Sequence, residues 1–439
     1  MLICIKGGFI CDGHSLSRRD VLVKDGRVFS VLESGAADFS DVDTVYDATD
    51  KYVFPGFVDV HVHFREPGFS YKETIKTGAM AAAAGGYTDV CAMPNLKPVP
   101  DCAEHLKEEL ELIKNAGVHV YPYGSISVNE EGHEIASLEE MAPDVIAFSD
   151  DGRGVASDSL MREAMLRSKA LGKLIAAHCE DMSVIKGSCV NDGRAAAMLG
   201  IDGITSESEW RMIERDVKLA AETGCSYHVC HVSTAESVEI IRQAKKRGID
   251  VTCETAPHYL LLCEDDICDR LAAKDGNEKN TDNPASLGRF KMNPPLRARR
   301  DMEAVRAGLL DGTIDMIATD HAPHSDEEKA KGLLGGPMGV VGLECAFPVL
   351  YTGLVKKDVL SLEELVRLMS AAPAARFGIK SGIAAGNEAK LSIWDMEQKY
   401  VIDPSDFRSK GRYTPFDGCE VYGRCLATMC GDFIYSLDE

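Results

Sequence analysis

Six residues of metal-ligand type sit where short apolar runs end. His61 and His63 close Phe57-Val-Asp-Val-His-Val-His63, His178 closes Leu174-Ile-Ala-Ala-His178, and His231 closes Tyr227-His-Val-Cys-His231. Asp151 follows Val145-Ile-Ala-Phe-Ser149, and Asp320 follows Asp315-Met-Ile-Ala-Thr319. Along the first run a period of two puts Phe57, Asp59, His61 and His63 on one face and Val58, Val60 and Val62 on the other. Two imidazoles one repeat apart on an inward strand end can chelate a divalent ion. Alone, such a pair is equally consistent with two satisfied core histidines. Four imidazoles and two carboxylates at the ends of different strands instead suit one or two zinc-class ions, with a carboxylate available as a bridge. A structural zinc site would favour cysteine at short spacing, and these residues show neither. Asp150 and Asp151 are adjacent, and spacing does not decide which reaches the ions.

The elements that must position these groups alternate. Strand-like segments are expected at Phe57–His63, Tyr87–Met93, Val118–Tyr123, Asp144–Ser149, Lys173–His178, Ser226–His231, Ile249–Thr255 and Ile314–Thr319. Helical patterns separate most of them, as at Ala103–Ala116, Asp158–Leu171, Trp210–Thr223 and Ala235–Arg247. Eight β/α repeats predict an α/β fold built on a distorted (β/α)8 TIM-type barrel over residues 56–380, whose catalytic groups lie at the C-terminal strand ends. An open doubly wound sheet would carry a Gly-rich turn after its first strand, where this chain has His61-Val-His63. Residues 1–55 and 381–439 read as short strands and turns, so the two termini are expected to form one small β domain. Polar, Gly-rich stretches at Asp275–Gly288 and His324–Gly339 follow strand candidates, and the first is expected to be a mobile insertion. His228 has the opposite parity to His231 and is expected to face the helices. His258, His321, Asp59, Glu180 and Asp181 read as supporting groups, and Lys107–Glu111 as a solvated helix face.

Composition narrows the function. The chain has 439 residues, 45% apolar and 27% charged, which excludes a disordered chain, a collagen and a membrane bundle. With 48 basic and 70 acidic residues its net charge is −22, a surface that repels nucleic acid and anionic lipid. Any anionic substrate therefore needs local positive partners. The 15 scattered cysteines suit reduced thiols and a cytoplasmic location better than a secreted disulfide framework. The apolar start Met1–Lys6 is too short for a signal peptide, and no uncharged run has the length of a membrane span.

Eight motifs together carry a resemblance to the dihydroorotases of the amidohydrolase superfamily, bacterial stand-alone type. They are Asp59-Val-His-Val-His-Phe-Arg-Glu-Pro-Gly68, Met93-Pro-Asn95, Ser149-Asp-Asp-Gly152, His178-Cys-Glu-Asp181, His231-Val-Ser-Thr234, Asn293-Pro-Pro-Leu-Arg297, Asp320-His-Ala-Pro-His324 and Gly339-Val-Val-Gly-Leu-Glu344. The resemblance implies that His61 and His63 hold one zinc, that His178 and His231 hold a second, and that Asp151 bridges them. It implies that Asp320 coordinates the first zinc and acts as general acid/base while metal-bound hydroxide attacks a ring amide. His63, Arg65, Asn95, Asn293 and His324 would contact the substrate, with the backbone of Met338 and Gly339 against its ring. Relatives commonly carry Phe where this chain has Met338. The implied partners are the small molecules L-dihydroorotate and N-carbamoyl-L-aspartate of pyrimidine synthesis and a second copy of the chain in a homo-oligomer such as a dimer. Arg65, two residues beyond His63, supplies a planar fork that can grip a carboxylate bidentately. The rival cyclic-amide hydrolases (hydantoinase, dihydropyrimidinase, allantoinase) commonly bridge their metals with a carboxylated lysine, and Ala147-Phe-Ser-Asp-Asp151 contains none. A non-catalytic scaffold paralogue would be expected to lose ligands, and all six ligand positions are filled.

Overall fold

The computed structural model describes residues 1–13, 15–37, 40, 42–187, 189–272 and 286–437. The chain opens with β1 (Leu2–Cys11), β2 (Leu16–Lys24), β3 (Arg27–Glu33), β4 (Thr44–Asp47) and β5 (Tyr52–Pro55). Seven strands follow: β6 (Phe57–Val62), β7 (Tyr87–Ala92), β8 (His119–Pro122), β9 (Ile175–Ala177), β10 (Tyr227–Val229), β11 (Val251–Thr255) and β12 (Met316–Ile317). The last are β13 (Lys390–Val401), β14 (Glu420–Cys430) and β15 (Phe433–Ser436). Strands from both ends of the chain share one sheet of order β15-β14-β13-β5-β1-β2-β3, with β4 against β1. Its central seam sets Leu391 opposite Pro55 and Ser392 opposite Phe54.

The middle strands form a ring. β6, β7 and β8 pair in parallel, as do β9, β10, β11 and β12. Phe148 bridges Gly124 on one side and Ile175 on the other, so the expected strand Asp144–Ser149 joins the two sheets through single bridges. The far seam closes where His321 bridges Val62 and His63 N donates to His321 O at 2.8 Å. Eight segments thus complete the barrel, distorted at these two joints. Val58, Val60, Cys91, Tyr123, Ala176 and Ala318 belong to one buried cluster that draws on strands all round the ring, so that cluster is the interior. Phe377 and Ile379 pack into the same cluster. A larger cluster, holding Phe57, Val62, Tyr227 and Val229, packs the ring against its helices.

Strict alternation fails at the functional strand ends. Val58 and Val60 lie in the interior, Phe57 and Val62 outside it, and the β6–β7 register shifts between Asp59 and Val62. A bulge re-aims the residues that follow it, and here it turns His61 inward directly after the inward Val60. β10 behaves alike: Cys230 is interior, and His231 follows with φ at 34°. That break in parity corrects the reading of His228. Its Nε2 lies 3.2 Å from Glu254 Oε2 and its ring packs edge-on to Phe377, so it faces the interior and not the helices.

One other expectation changes. In the helix Ala103–Ile113, Lys107, Glu108 and Glu111 are solvated, but Glu109 is buried with neither carboxylate oxygen hydrogen-bonded. Of the Asp275–Gly288 stretch, residues 275–285 lie outside the described residues, and Ser286 begins a short 3-10 turn that runs to Phe290. The helices themselves start where their caps dictate. Thr234, four positions after Cys230, accepts from Ser237 N and starts the helix Ala235–Lys246, whose first turn carries Glu236 and whose last carries Lys245 and Lys246. The loop bearing His231 is thereby anchored on both sides.

Candidate active site

All six ligand-type residues converge at the C-terminal mouth of the ring and are buried. His61 Nε2 lies 3.3 Å from Asp151 Oδ1 and 3.6 Å from Asp320 Oδ1. His63 Nε2 lies 3.1 Å from Asp320 Oδ1 and 3.4 Å from Asp151 Oδ2. His178 and His231 each come within 3.8 Å of Asp151 Oδ1, and His178 Nδ1 and His231 Nε2 are 2.9 Å apart. Asp151 therefore stands between two pairs of imidazoles. Asp150 does not: its Oδ1 accepts from Ile126 N at 2.8 Å and Ser127 N at 3.0 Å, and the Ser127 hydroxyl donates to Oδ2. Of the two adjacent aspartates, Asp151 is the one placed among the imidazoles.

Three buried atoms here have no hydrogen-bond partner among the described residues: His61 Nε2, Asp151 Oδ1 and His231 Nδ1. Buried polar atoms are almost always satisfied, so orphans clustered in one place point to a missing ligand. Donor atoms of His61, His63 and Asp320, and those of His61, Asp151 and His231, lie within 4.8 Å of one another. Imidazole nitrogens around shared carboxylates, with no thiolate needed, fit a zinc-class cation.

The rings are aimed by groups behind them. His61 Nδ1 lies 2.7 Å from Glu254 Oε1, and His63 Nδ1 lies 2.9 Å from Asn95 Oδ1, which leaves both Nε2 atoms toward the aspartates. Burial alone would raise the Glu254 carboxyl, but His61 and His228 pull it down to about 2. Burial likewise opposes ionisation of Asp320, yet the hydrogen bond from His63 and the neighbouring imidazoles hold it well below the usual carboxylate range. Burial lowers His61, and Asp151 and Glu254 more than reverse it. The signal for Glu254 in the sequence is its place in Val251-Thr-Cys-Glu-Thr255, where Thr252 and Glu254 alternate with Val251 and Cys253.

The supporting residues fall as follows. Asp59 accepts from Thr319 N and from His61 N, tying β6 to the strand before Asp320; burial raises it to about 7. His321 Nδ1 accepts from Gly342 N at 3.2 Å. His258 is packed on Tyr259, and burial pulls it down to about 4. Glu180 Oε2 accepts from Asn293 Nδ2 at 3.1 Å and lies 3.4 Å from His178 Nε2, and Asp181 caps the turn Met182–Val184. Arg65, His231 and Asp320 adopt φ of 62°, 34° and 50°. Left-handed backbone costs a non-glycine residue about 1–3 kcal/mol, and here it swings three side chains toward one mouth.

A cleft of about 220 Å³ opens over the cluster, lined by His63, Arg65, Asn95, Asn293, His324, Met338 and Gly339 together with the ligand-type residues. Arg65 Nε donates to Pro323 O at 3.2 Å and Nη1 to Asn95 Oδ1 at 3.4 Å, and among the described residues no carboxylate pairs with it. His324 Nε2 donates to Met338 O at 2.6 Å, while its Nδ1 faces Lys72 Nζ at 3.1 Å. Burial and the charges of Arg65, Lys72 and Lys329 pull this ring down to about 2, so it is neutral. Gly339 has φ of 123°, and a Cβ there would meet Ala322 O at 2.6 Å, so only glycine fits this wall.

A profile of the family described as "Dihydro-orotase-like" matches residues 50–237. The dihydroorotases of Bacillus cereus (strain AH820) and Bacillus thuringiensis (strain Al Hakam) are each 46% identical over 428 residues, 97% of this chain and 96% of theirs. Among solved structures, the L-hydantoinase (dihydropyrimidinase) from Arthrobacter aurescens is 28% identical with a TM-score of 0.82, covering 99% of this chain and 96% of that one.

Proposed function

The chain belongs to the dihydroorotase family and is a cyclic-amide hydrolase, and from that premise we propose that it interconverts L-dihydroorotate and N-carbamoyl-L-aspartate in pyrimidine synthesis. The observation that carries the substrate assignment is Arg65, a guanidinium at the rim of the ligand cluster with no ion pair among the described residues. Dihydroorotate bears a carboxylate beside its ring, and the fork of Arg65 matches it.

In this reading His61, His63 and Asp320 would hold one zinc, His178 and His231 would hold a second, and Asp151 would be available to both. When bound, zinc polarises a carbonyl and lowers the pKa of its water to roughly 7. The chain's own residues do the rest. Arg65 holds the carboxylate, Asn95 and Asn293 offer side-chain amides, and neutral His324 stands against the Met338–Gly339 wall with an imidazole. Asp320, ionised, takes a proton from the attacking water and returns it to the ring nitrogen as the water oxygen bonds to the carbonyl carbon and the C–N bond breaks; ring closure runs these steps in reverse and releases water.

The hydantoinase likeness supports the second reading, a neutral cyclic amide. Against it stand Arg65 and the aspartate at position 151, where no lysine is available as a carboxylated bridge. The test is hydrolysis of L-dihydroorotate, hydantoin, dihydrouracil and allantoin by the purified protein, before and after chelation. Turnover confined to dihydroorotate and abolished by chelation is expected. Turnover of a neutral ring instead overturns the substrate, and no turnover with metal bound favours a scaffold.

A further inference from the structure

Lys329 is among the largest fully buried side chains of the molecule, 1% exposed, at the end of the short helix Asp326–Lys329. Its ammonium has no carboxylate partner among the described residues. Nζ donates instead to three carbonyls: Gly339 O at 2.6 Å, Pro337 O at 3.2 Å and Lys291 O at 3.2 Å. That uses all three ammonium hydrogens. Burying an amine without a counter-ion is expensive, and burial, with Lys291 nearby, pulls Lys329 down to about 7; what keeps it in place is the three carbonyls, so its position is informative.

The three carbonyls belong to the two segments that form one wall of the cleft. Pro337 and Gly339 flank Met338, and Lys291 lies two residues before Asn293. The carbonyl of Met338, between the two that Lys329 holds, is taken by His324 Nε2. Gly339 N donates to Lys291 O at 3.0 Å, the same oxygen that Lys329 binds. Three successive carbonyls are thus oriented alternately toward a buried ammonium and a cleft imidazole, and the two wall segments meet at one oxygen. Lys329 is also close enough to bias His324, since its charge is one of the causes, after burial, that keep that ring neutral.

We propose that Lys329 is a positioning residue for the substrate, locking the Pro337–Gly339 and Lys291–Asn293 segments to each other so that the cleft wall is preset for the ring. Its kinetic side rests on the dihydroorotase reading above; its structural side does not.

The test uses the zinc-loaded enzyme and the variants Lys329→Met, which keeps length without charge, and Lys329→Gln, which keeps a neutral donor. Zinc content, melting temperature, kcat and KM for dihydroorotate, and amide hydrogen exchange at Gly339 are measured. Lys329→Met is expected to hold wild-type zinc, raise KM by about tenfold or more, lower kcat by less than about threefold, and speed exchange at Gly339, with Lys329→Gln in between. A KM within about twofold of wild type in both variants overturns the proposal, as does a loss of melting temperature with unchanged exchange at Gly339. If Lys329→Met does not fold, Lys329→Gln decides by the same KM and exchange criteria. If the wild type itself fails to turn over dihydroorotate, the functional reading falls, and the exchange comparison still decides whether Lys329 holds the wall.

Discussion

Replacing Glu254 by glutamine should weaken zinc binding without touching a residue proposed to contact the ion. Glu254 is 1% exposed and holds His61 Nδ1 at 2.7 Å and His228 Nε2 at 3.2 Å, so one carboxylate accepts from two imidazoles. Glutamine keeps the shape but offers one acceptor and one donor. If its NH2 faces His61 Nδ1, the proton of that ring moves to Nε2, the atom aimed at Asp151 and Asp320, and the ring cannot ligate. If its oxygen faces His61, the ligand tautomer survives, but a charge-assisted bond becomes a neutral one of about half the strength. Loss of a partner that orients a metal ligand typically costs about 10–100-fold in affinity, or about 1.4–2.7 kcal/mol. The assay titrates the apo-protein with zinc against a competing chromophoric chelator. The zinc Kd should rise about 10–100-fold, and excess zinc should restore much of the turnover. Glu109→Gln, a buried acid on the outer helix Ala103–Ile113, serves as control and should leave the zinc Kd alone. A zinc Kd for Glu254→Gln within about twofold of wild type would refute the reasoning.

Arg65→Lys should keep its zinc but lose about 100-fold in kcat/KM for dihydroorotate, since an ammonium cannot copy the bidentate grip; unchanged kinetics would place the carboxylate elsewhere. Asp320→Asn should retain most zinc and lose at least about 1000-fold in kcat, and near-normal turnover would remove it as the acid/base. Asp151→Asn should lower zinc content, whereas Asp150→Asn should keep zinc and lose about 1–3 kcal/mol of stability from the Ile126–Ser127 anchor; the opposite ranking in metal analysis would exchange their roles. Burial raises the Glu109 carboxyl well above 4.5 in the folded chain, so its contribution to stability is complete at acid pH and declines as pH rises toward the folded value. Glu109→Gln lacks that slope, so its advantage in unfolding free energy over wild type, followed through the melting temperature, should widen as pH rises above about 5, by at most about 1.4 kcal/mol per pH unit, and a gap independent of pH would be contrary evidence.

The ring was legible because a buried parallel strand is a short apolar run, and a polar residue ending such a run is conspicuous. What period counting could not supply is which face each residue takes at the mouth. There the register shift beside Asp59 and the left-handed φ of His231 break parity, which is how His228 came to be assigned to the wrong side. These breaks fall on the functional residues themselves, where local rules give way to the geometry a site demands. The choice between Asp150 and Asp151 was hidden for another reason: it depends on the amides of Ile126 and Ser127, more than twenty residues upstream. Glu254 was visible as an acid in a buried strand, but its partner His61 is 193 positions away. Lys329, in a polar loop, reads as one more solvated cation until its three carbonyls are seen.

Fold likeness and substrate likeness separate in this molecule. A hydantoinase shares the architecture over 99% of the chain, so the architecture cannot be what selects a ring. Under the proposed function the selective feature is local charge. The chain as a whole carries −22, a field that opposes an anionic ligand. Beside His324, however, positive groups gather: after burial, the charges that drive its pKa down to about 2 are Arg65, Lys72 and Lys329. Lys72 is partly offset by Glu328 at 3.1 Å, whereas Arg65 and Lys329 have no carboxylate pair among the described residues. A neutral ring such as hydantoin would leave the Arg65 guanidinium desolvated and unmatched each time the cleft filled. A ring bearing a carboxylate gains from the same group, because a charge that is costly while unpaired becomes a source of affinity once its partner arrives.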